Sequence, residues 1–521
     1  MTLHAPIAVP RQPLALSRPV TIAALALAAW ALATGLLWNV ALNNDVSWQF
    51  WVARQLRHGA RFGRGVIEVN PPLWFWEAMP LSALADRLGL ATARVLVAAT
   101  TARTVLGVLL TIPLVARTPV QRLAAASGLF VLLLALPVFC FGEREHLLLL
   151  GALPYAALAA HRAEWMPVDR RLALVIGLTA GWSFALKPYF ALIPLALEIW
   201  LWGRQRRRWR PLRPETGALA VIALAYGGAV LAFAPDWLAR VVPMARLFYA
   251  DFAPPAAWPV TRQPYLPAWL LGALALLAAR PRSARTQAAA VATAAFLACY
   301  LLQAKGFPYH ALPVTVGLAW ALWLLILDGG ADAAALARRP LAVLAILLAF
   351  ATAALIGSFR APPLGGLAPV VDRLPPGTRF AVISAHSWDA FPMVEQRGFV
   401  QPLSTANPMM ALKTVLREGE GPHATSDGLK LRRWMLDTLA GDLARCPAEA
   451  LLIDDAAASP VLAGTGVSYL AWLGRDPRFA ALLAAYRPAA RDGGRLLLLA
   501  RPGRLPRPSA CPIAPAVAQP D

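Results

Sequence analysis

The sequence has little charge, and acidic residues are the scarcer kind. Charged residues make up 15% of the 521-residue chain, with 28 acidic against 49 basic residues, while hydrophobic residues make up 58%. This balance excludes a disordered chain and is unlike that of an ordinary soluble protein. Several uncharged runs approach or exceed the ~18 residues that mark a membrane span, which predicts a polytopic membrane protein.

Cysteine and lysine are also scarce. The four cysteines form no CxxC pair and no Cys/His spacing suited to zinc. Only four of the basic residues are lysines, and two of them, Lys187 and Lys305, fall in the apolar part of the chain. The arginine excess fits basic cytoplasmic loops better than nucleic-acid binding, so no nucleic-acid partner is expected. No cleavable signal is predicted, because the apolar run Val20–Leu42 is too long and lacks a small-x-small site after it.

The basic residues predict how the spans alternate. Arg11 and Arg18 precede the first span, so the N-terminus is expected in the cytoplasm and Asp45 outside. The apolar stretch Leu172–Trp202 lies between two basic loops and is interrupted at Lys187-Pro188. Both of its ends are therefore expected inside, which predicts two short crossings joined at the break. Continued alternation gives about eleven spans and an outside C-terminus.

The composition changes near residue 360. Shorter apolar runs of strand length follow, at Phe380–Ser384, Ala450–Ile453 and Leu496–Ala500. Helical patterns fall between them, at Pro408–Arg417 and Leu429–Leu443. We therefore predict a membrane domain over residues 1–359 and a soluble α/β domain outside the membrane over residues 360–521. An oxidising compartment would permit a Cys446–Cys511 disulfide there, which the sequence leaves open.

Polar side chains collect at the turns that this topology places outside. The acids are Asp45, Glu68, Glu143 and Glu145, and the residues suited to hold an anion are Arg144, His146, Lys187, Lys305, Tyr309 and His310. A carboxylate can take a proton from an acceptor hydroxyl, and cations can stabilise a departing phosphate. The combination predicts transfer of a group from a phosphate-linked donor at the membrane surface.

Each of these groups also has an ordinary structural explanation. Asp45 can be the N-cap of a helix that starts at Val46, and Lys187 can be a lysine that reaches the membrane interface from a turn. Tyr309-His310 can be interface anchors. The tryptophans near the first acids are better explained as membrane anchors than as sugar-stacking platforms; they are Trp48, Trp51, Trp74 and Trp76. The convergence on one face is the stronger argument, and it depends on the predicted topology.

The order of these parts resembles the GT-C superfamily of integral membrane glycosyltransferases, and in particular the bacterial protein mannosyltransferase and aminoarabinose-transferase type. The features that carry the resemblance are Asn44-Asp45 after the first span, Glu68-Val69-Asn70-Pro71-Pro72-Leu73-Trp74 and the Lys187-Pro188 break. Gly142-Glu143-Arg144-Glu145-His146 and the stretch 305–310 look like those of uncharacterised bacterial members. The likeness runs from about Val20 to Phe359 by motif order, not by continuous identity.

The resemblance implies an inverting transfer from a polyprenyl-phosphate-linked sugar, on the periplasmic side of the bacterial inner membrane. The acceptor would be a glycolipid, a polysaccharide or a protein. Asp45 matches the family's catalytic aspartate in the first outside loop. Metal use varies in the superfamily, so the metal is left unknown: no cofactor is certain, and a divalent metal is left open.

This sequence departs from the family pattern at two places. The family's second acid is often an aspartate in the next outside loop, where this chain has Glu143 and Glu145. Asn70-Pro71-Pro72 stands where the family has Lys-Pro-Pro, so the phosphate contact made by that lysine is absent. The residues left to supply it are Arg144, Lys187 and Lys305.

We therefore predict a membrane glycosyltransferase in which Asp45 is the general base, another acid orients the acceptor or sugar, and the cations with His310 hold the donor phosphate. The alternative is a transporter or flippase for a lipid-linked or anionic substrate. A transporter would place ionisable groups near mid-membrane and often shows repeats. Here only Arg103 and Glu198 lie deep in predicted spans, and no repeat is visible. A non-catalytic assembly protein is a third interpretation.

Overall fold

The chain is described from a computed structural model that places residues 18–251, 257–328, 333–357, 364–384, 387–405, 425–454 and 468–512. The predicted helix Pro408–Arg417 lies outside these residues. The helices of the first part are, in chain order, α1 (Arg18–Leu36), α2 (Asn44–Arg57), α3 (Leu73–Leu88), α4 (Thr92–Val115), α5 (Pro119–Leu134), α6 (Arg144–Ala163), α7 (Arg170–Phe184), α8 (Leu192–Gln205), α9 (Pro214–Phe233), α10 (Val242–Asp251), α11 (Trp258–Thr261), α12 (Leu266–Ala279), α13 (Ala284–Gln303), α14 (Pro308–Asp328) and α15 (Ala333–Gly357).

Local sequence explains where several of these helices begin and end. Thr118 and Gln121 form a capping box at the start of α5. Gly89 ends α3 in the left-handed conformation, at φ 63°. Lys187 has extended backbone angles, as expected for a residue before proline, and a 3-10 turn, Pro188–Ala191, follows it. The predicted break in Leu172–Trp202 is therefore confirmed as the junction between α7 and α8.

The bundle has two fully enclosed helices. Nearly every residue of α6 and most residues of α14 are buried. By contrast, α9 exposes most of its apolar surface, which suits a helix that faces lipid. By length and composition, five of the described helices can cross a membrane: α4, α9, α13, α14 and the part of α15 from Arg339. Because α6 and α14 are central, the polar residues at their N-terminal ends lie inside the protein.

The tryptophans near the first acids mostly pack in the protein interior. Trp51 is 1% exposed and Trp74 is 2% exposed. The prediction that these two are interface anchors is wrong, because surrounding protein covers both side chains. Trp48 and Trp76 are half-buried.

The described residues 364–512, here called the C-terminal unit, form a small α/β structure. Its strands are β1 (Phe380–Ile383), β2 (Ala450–Asp454), β3 (Tyr486–Asp492) and β4 (Arg495–Ala500), in the order β1-β2-β4-β3. Its described helices are α16 (Ala368–Val371), α17 (Met393–Gln396), α18 (Ser426–Arg445), α19 (Tyr469–Gly474) and α20 (Pro477–Leu483). The β1–β2 pair is parallel, whereas the β2–β4 and β3–β4 pairs are antiparallel.

The two faces of this sheet belong to different cores. Phe380 and Val382 lie in the core that also contains the helical bundle, whereas Ala381 and Ile383 face the core formed with α18, α19 and α20. This alternation follows from the two-residue period of a strand. A disulfide joins Cys446 to Cys511. The predicted fold class, a helical membrane bundle with an α/β part, is confirmed; the span count, the sidedness and the domain division at residue 359 stay predictions.

Candidate functional site

Asp45 lies in the first turn of α2, but Asn43 is the residue that caps this helix. Asn43 Oδ1 accepts a hydrogen bond from the Val46 N–H at 2.8 Å, and Asn43 Nδ2 donates to Glu143 Oε1 at 2.7 Å. The Asp45 carboxylate is therefore not used as a cap. It accepts a hydrogen bond from Asn44 Nδ2 at 2.7 Å and stays half-buried, while both neighbouring residues are buried.

Glu68 is a fully buried acid that is held by Asn70. Its Oε1 accepts the backbone N–H and the side-chain amide of Asn70, each at 2.7 Å. Its Oε2 has no hydrogen-bond partner within the described residues. Burial raises the pKa of Glu68 to about 8, although the Asn70 N–H opposes this shift. Glu68 therefore keeps its proton at neutral pH and presents one unused oxygen.

Glu143 and Arg144 stand at the start of α6. Burial, and then the charge of Asp45, raise the pKa of Glu143 to about 8, and its Oε2 has no partner among the described residues. The Arg144 guanidinium lies over the Trp74 ring, 4.5 Å from the ring centroid. Arg144 is 2% exposed, and in the described part of the chain its Nε and Nη1 bond to nothing. Buried donors of this kind are costly unless a ligand satisfies them.

Lys187 projects from the break between α7 and α8 towards Glu145. Its Nζ donates to Glu145 Oε1 and, at 3.2 Å, to Gln303 Oε1. Burial lowers the pKa of Lys187 to about 8. Burial and the charge of Lys187 lower the pKa of Lys305 to about 7. Lys305 is half-buried, so its side chain is reachable.

The two predicted histidines have different surroundings. His310 Nε2 lies 3.7 Å from Glu145 Oε1, and the Tyr309 ring packs edge-on against the His310 ring with centroids 4.3 Å apart. His146 instead accepts the Gly142 N–H at Nδ1, at 3.1 Å, and its Nε2 lies 2.8 Å from the Leu133 carbonyl oxygen. Both ring nitrogens of His146 are therefore engaged by backbone, and its ring holds the turn before α6.

The structure brings most of the predicted residues into one electrostatic cluster. Asp45 interacts with the charges of Arg144, Lys187, Glu145 and Lys305, and burial raises the pKa of Asp45. Glu68 and Glu143 flank this group through the charge of Asp45. The arrangement can accept a proton at a carboxylate and hold a phosphate at neighbouring cations. In the described residues, no three His, Cys, Asp or Glu side chains meet as metal ligands, and the metal stays unassigned.

Three residues of the site were missed at the level of sequence. Asn43 has a detectable signal, because asparagine before a helical pattern is a common N-cap. Gln49 donates to the Trp74 carbonyl oxygen at 2.5 Å and so ties α2 to α3 beneath the Arg144 stack. Gln303, which also accepts the Tyr189 hydroxyl at 3.1 Å, has no local signal, because its partners lie more than 100 residues away.

The C-terminal unit binds the helix that carries Asp45. Arg54 of α2 pairs with Glu395 of α17 at 2.7 Å, and both side chains are at most 4% exposed. Trp51 packs edge-on against Phe391, with ring centroids 6.1 Å apart. These contacts fix α2 from the side of the C-terminal unit.

The same unit contacts the segments that carry the other two flanking acids. The Ile67 N–H, next to Glu68, donates to the Ser404 carbonyl oxygen at 2.7 Å. Phe139, in the turn that leads to Glu143, stacks on Trp388 with ring centroids 5.1 Å apart. The C-terminal unit therefore supports every segment that supplies an acid from the loops before α6.

A mostly apolar groove of about 420 Å³ lies between α4, α6, α7 and α9. Its lining includes Leu110, Leu150, Leu178 and Ile222. Leu150 follows Glu145 by five residues on α6, which is roughly 7.5 Å along the helix axis. Five residues also turn the helix by about 140°, so this spacing gives only a position along α6. The lining further includes the polar side chains of Arg103, Thr179 and Ser183.

No protein-family model and no curated protein matches this chain. Among solved structures, it is similar to ArnT from Cupriavidus metallidurans bound to undecaprenyl phosphate, with a TM-score of 0.53 and 14% identity over 94% of this chain and 99% of that one. ArnT from the same organism in the apo state gives a TM-score of 0.49 and 16% identity, over 92% and 97%. The first likeness shows the fold: over nearly its whole length this chain folds like that ArnT.

Proposed function

We propose that this protein is a membrane glycosyltransferase that moves a sugar from a polyprenyl-phosphate donor to an acceptor hydroxyl. The observation that carries the proposal is the half-buried Asp45 carboxylate, which interacts electrostatically with Arg144, Lys187 and Lys305, on a GT-C fold. A base within electrostatic range of cations that can hold a phosphate is what this reaction requires.

The donor phosphate binds between the three cations. Arg144 offers two buried N–H donors that no described residue satisfies, and its fork geometry suits phosphate oxygens. Lys187 and Lys305 add compact charges. His310 and Tyr309 close this side of the site, next to Glu145. The ArnT of the comparison was crystallised with undecaprenyl phosphate, which supports a lipid phosphate as the ligand here.

The lipid chain of the donor follows the apolar groove. The groove and the candidate site share helix α6, and the aliphatic side chains that line the groove are Leu106, Leu110, Leu150, Leu178 and Ile222. Apolar burial favours a prenyl chain there, at ~0.8 kcal/mol for each buried CH₂ group.

The transfer step uses Asp45 as the general base. Asp45 takes the proton of the acceptor hydroxyl, whose oxygen attacks the anomeric carbon from the face opposite the phosphate. The bond from the anomeric carbon to the phosphate oxygen breaks, and its electron pair leaves with polyprenyl phosphate. The product sugar is inverted at that carbon. The phosphate needs no separate acid because the cations stabilise its charge.

The flanking acids orient the substrates. Glu68 and Glu143 each keep a proton at neutral pH and present an unused Oε2, so each can donate one hydrogen bond to a sugar or acceptor hydroxyl. Glu145 orients Lys187 through their ion pair. His146 keeps the turn before α6 in place and is not assigned a phosphate contact.

The cluster faces the periplasm of a bacterial inner membrane in this proposal, and the C-terminal unit, within residues 360–521, lies on the same side. The Cys446–Cys511 disulfide supports that placement, because disulfides persist in oxidising compartments. The acceptor is a periplasmic glycolipid, polysaccharide or protein.

The test is a transfer assay in lipid nanodiscs with a panel of polyprenyl-phosphate sugars and a membrane glycolipid extract. Mass spectrometry would follow a sugar-sized increment on an acceptor and the release of polyprenyl phosphate in equal amounts. Release without any acceptor product would indicate hydrolysis. Binding of lipid-linked sugars without turnover, together with their movement across a proteoliposome membrane, would contradict the proposal in favour of a transporter.

A further inference from the structure

The end of the bundle opposite the candidate site carries a second cationic surface. The segment 204–213 between α8 and α9, here called the arginine loop, contains six arginines in ten residues. It adjoins Arg162, at the last turn of α6, while Glu145 lies at the first turn of the same helix. Since α6 has 20 residues, the two ends are roughly 30 Å apart, which is the thickness of a bilayer core.

The arginine loop is fixed to the bundle by a partly buried ionic network. Arg213 pairs with Glu198 of α8 and, at 2.9 Å, with Glu215 of α9. Arg162 donates to both carboxylate oxygens of Glu215 at 3.1 Å, and the Trp209 indole donates to Glu198 at 3.0 Å. The two acids that lie next to the loop, Glu198 and Glu215, are therefore already engaged in this network. Between the residues of this network, Arg206–Arg208 form a short 3-10 turn.

The other arginines of the loop are exposed and carry uncompensated charge; they are Arg204, Arg206, Arg207, Arg208 and Arg210. Among the described residues, none of these five pairs with a carboxylate. The acids of the adjoining loop are also engaged: Glu164 pairs with Arg117 at 3.3 Å, and Asp169 accepts the Arg171 and Leu172 N–H groups. An anion from outside the chain is therefore the available partner.

Exposed apolar side chains border these charges. Trp202 is 50% exposed, Trp165 is 53% exposed and Leu212 is 88% exposed. The Arg206 guanidinium lies 5.8 Å from the Trp202 ring centroid, and the Arg208 guanidinium lies 5.7 Å from that of Trp165. Tryptophan beside arginine at the end of a membrane helix suits the boundary between acyl chains and headgroups.

We propose that the arginine loop is a binding site for the phosphate headgroups of anionic phospholipids in the leaflet at this end of the bundle. Loop charge alone would orient the helices. That role requires neither a folded loop nor two exposed tryptophans, whereas a lipid site uses both. Guanidinium groups bind headgroup phosphates in a bidentate manner, and the indoles and Leu212 contact the glycerol and upper acyl region. The site is independent of the proposed transfer reaction.

The experiment uses the full-length protein in nanodiscs that contain phosphatidylcholine and a small fraction of phosphatidylglycerol. Native mass spectrometry would measure which lipids stay bound to the protein after the protein is released from the nanodisc. We expect the wild type to retain phosphatidylglycerol in preference to phosphatidylcholine. In the R206Q/R207Q/R208Q variant, the ratio of retained phosphatidylglycerol to phosphatidylcholine should fall about tenfold or more, since each surface arginine adds to the attraction by anionic lipid.

Two controls separate the site from general charge and from misfolding. R487Q/R504Q/R507Q removes three exposed arginines of the C-terminal unit and should keep the full lipid preference. R206K/R207K/R208K keeps the charge and should lose only part of it, because lysine lacks the bidentate fork. Equal lipid preference in the wild type and the triple glutamine variant would overturn the proposal. The melting temperature of the wild type would also be measured with inorganic phosphate and with phosphatidylglycerol. An equal rise with both ligands would overturn the proposal as well, because the ligand would then be free phosphate.

Discussion

Asp45 differs from the acids around it in being reachable. Glu68 and Glu143 are fully buried, with pKa values raised to about 8, so they are protonated at neutral pH. Burial raises the pKa of Asp45 as well, and the charge of Arg144 is the first to oppose that shift. A base whose pKa is raised towards the working pH transfers protons efficiently. The surroundings of the three acids therefore give them different roles: Asp45 is the base, whereas Glu68 and Glu143 are hydrogen-bond donors.

The lowered pKa values of Lys187 and Lys305 predict how the affinity for the donor depends on pH. In the free protein, the pKa values of Lys305 and Lys187 are lowered to about 7 and about 8. Raising the pH from 7 to 9 removes their protons, while the donor phosphodiester keeps its charge. The dissociation constant of a polyprenyl-phosphate sugar should therefore rise about tenfold or more over this range. Equilibrium binding in nanodiscs at each pH would measure it.

The control for this prediction is the Lys187→Arg/Lys305→Arg variant. Arginine stays protonated throughout the range, so the part of the alkaline decline that the lysines cause should disappear. The part caused by deprotonation of Glu68 and Glu143, whose pKa values are raised to about 8, should remain. An equally steep loss in this variant would show that the two lysines do not cause the alkaline decline.

At the scale of elements, α2 depends on α17 of the C-terminal unit. Arg54 and Glu395 form a buried ion pair, and removing one partner leaves a buried charge. Glu395→Ala should lower the free energy of unfolding by about 3–5 kcal/mol, while the Arg54→Met/Glu395→Leu double variant should lose less. Chemical denaturation in detergent would measure both, and the transfer rate of the folded fraction would show whether Asp45 stays placed.

An exposed pair of the same unit serves as the control. Arg478 and Asp437 lie 2.8 Å apart, with side chains 49% and 55% exposed. Asp437→Ala should cost about 1 kcal/mol or less. A loss for Glu395→Ala as small as this would mean that the ion pair does not hold α2.

The groove between α4, α6, α7 and α9 predicts selectivity for chain length. Leu178→Trp narrows the groove and should raise KM about tenfold for a long-chain polyprenyl-phosphate sugar, with little effect on a short-chain analogue. Leu224→Trp, on the exposed side of α9, is the matched control and should change neither value. Steady-state kinetics with both donors would measure this; an equal rise for both donors would argue against a tail in the groove.

Local sequence rules accounted for most elements but not for their contacts. The helix break at Lys187-Pro188 follows from proline chemistry, and the runs at β1, β2 and β4 are apolar enough to be recognised. Strand β3 was missed because Pro488 and the charged residues Arg487, Arg491 and Asp492 leave it no apolar run. The cap at Asn43 was assigned instead to Asp45, two residues later, because both residue types cap helices.

At the scale of the whole molecule, one core joins the bundle to the sheet. Phe380 and Val382 share it with residues of the first helices, so the C-terminal unit is part of the structure that holds the site. No sequence rule predicts such pairings: Arg54 and Glu395 are 341 residues apart. What the sequence did supply was the set of polar residues at the turns, and the fold brings those turns together.

The disulfide gives a prediction at this scale. It joins residues 65 positions apart, so its loss frees a long loop of the unfolded chain. Cys446→Ser/Cys511→Ser should lower the free energy of unfolding by about 2–5 kcal/mol without changing the transfer rate of folded protein. Denaturation of the wild type with and without a reducing agent is the control. An unchanged stability on reduction would contradict the prediction.

The measurement that tests the central claim most directly compares the wild type with Asp45→Asn in the donor-dependent transfer assay. The substitution removes the base and keeps the size of the side chain. We predict that the variant binds the donor with the wild-type dissociation constant and loses transfer by about 10²–10⁴-fold. Wild-type turnover by Asp45→Asn would contradict the assignment of the base. Loss of donor binding together with turnover would instead place Asp45 in the binding site and not in the proton transfer.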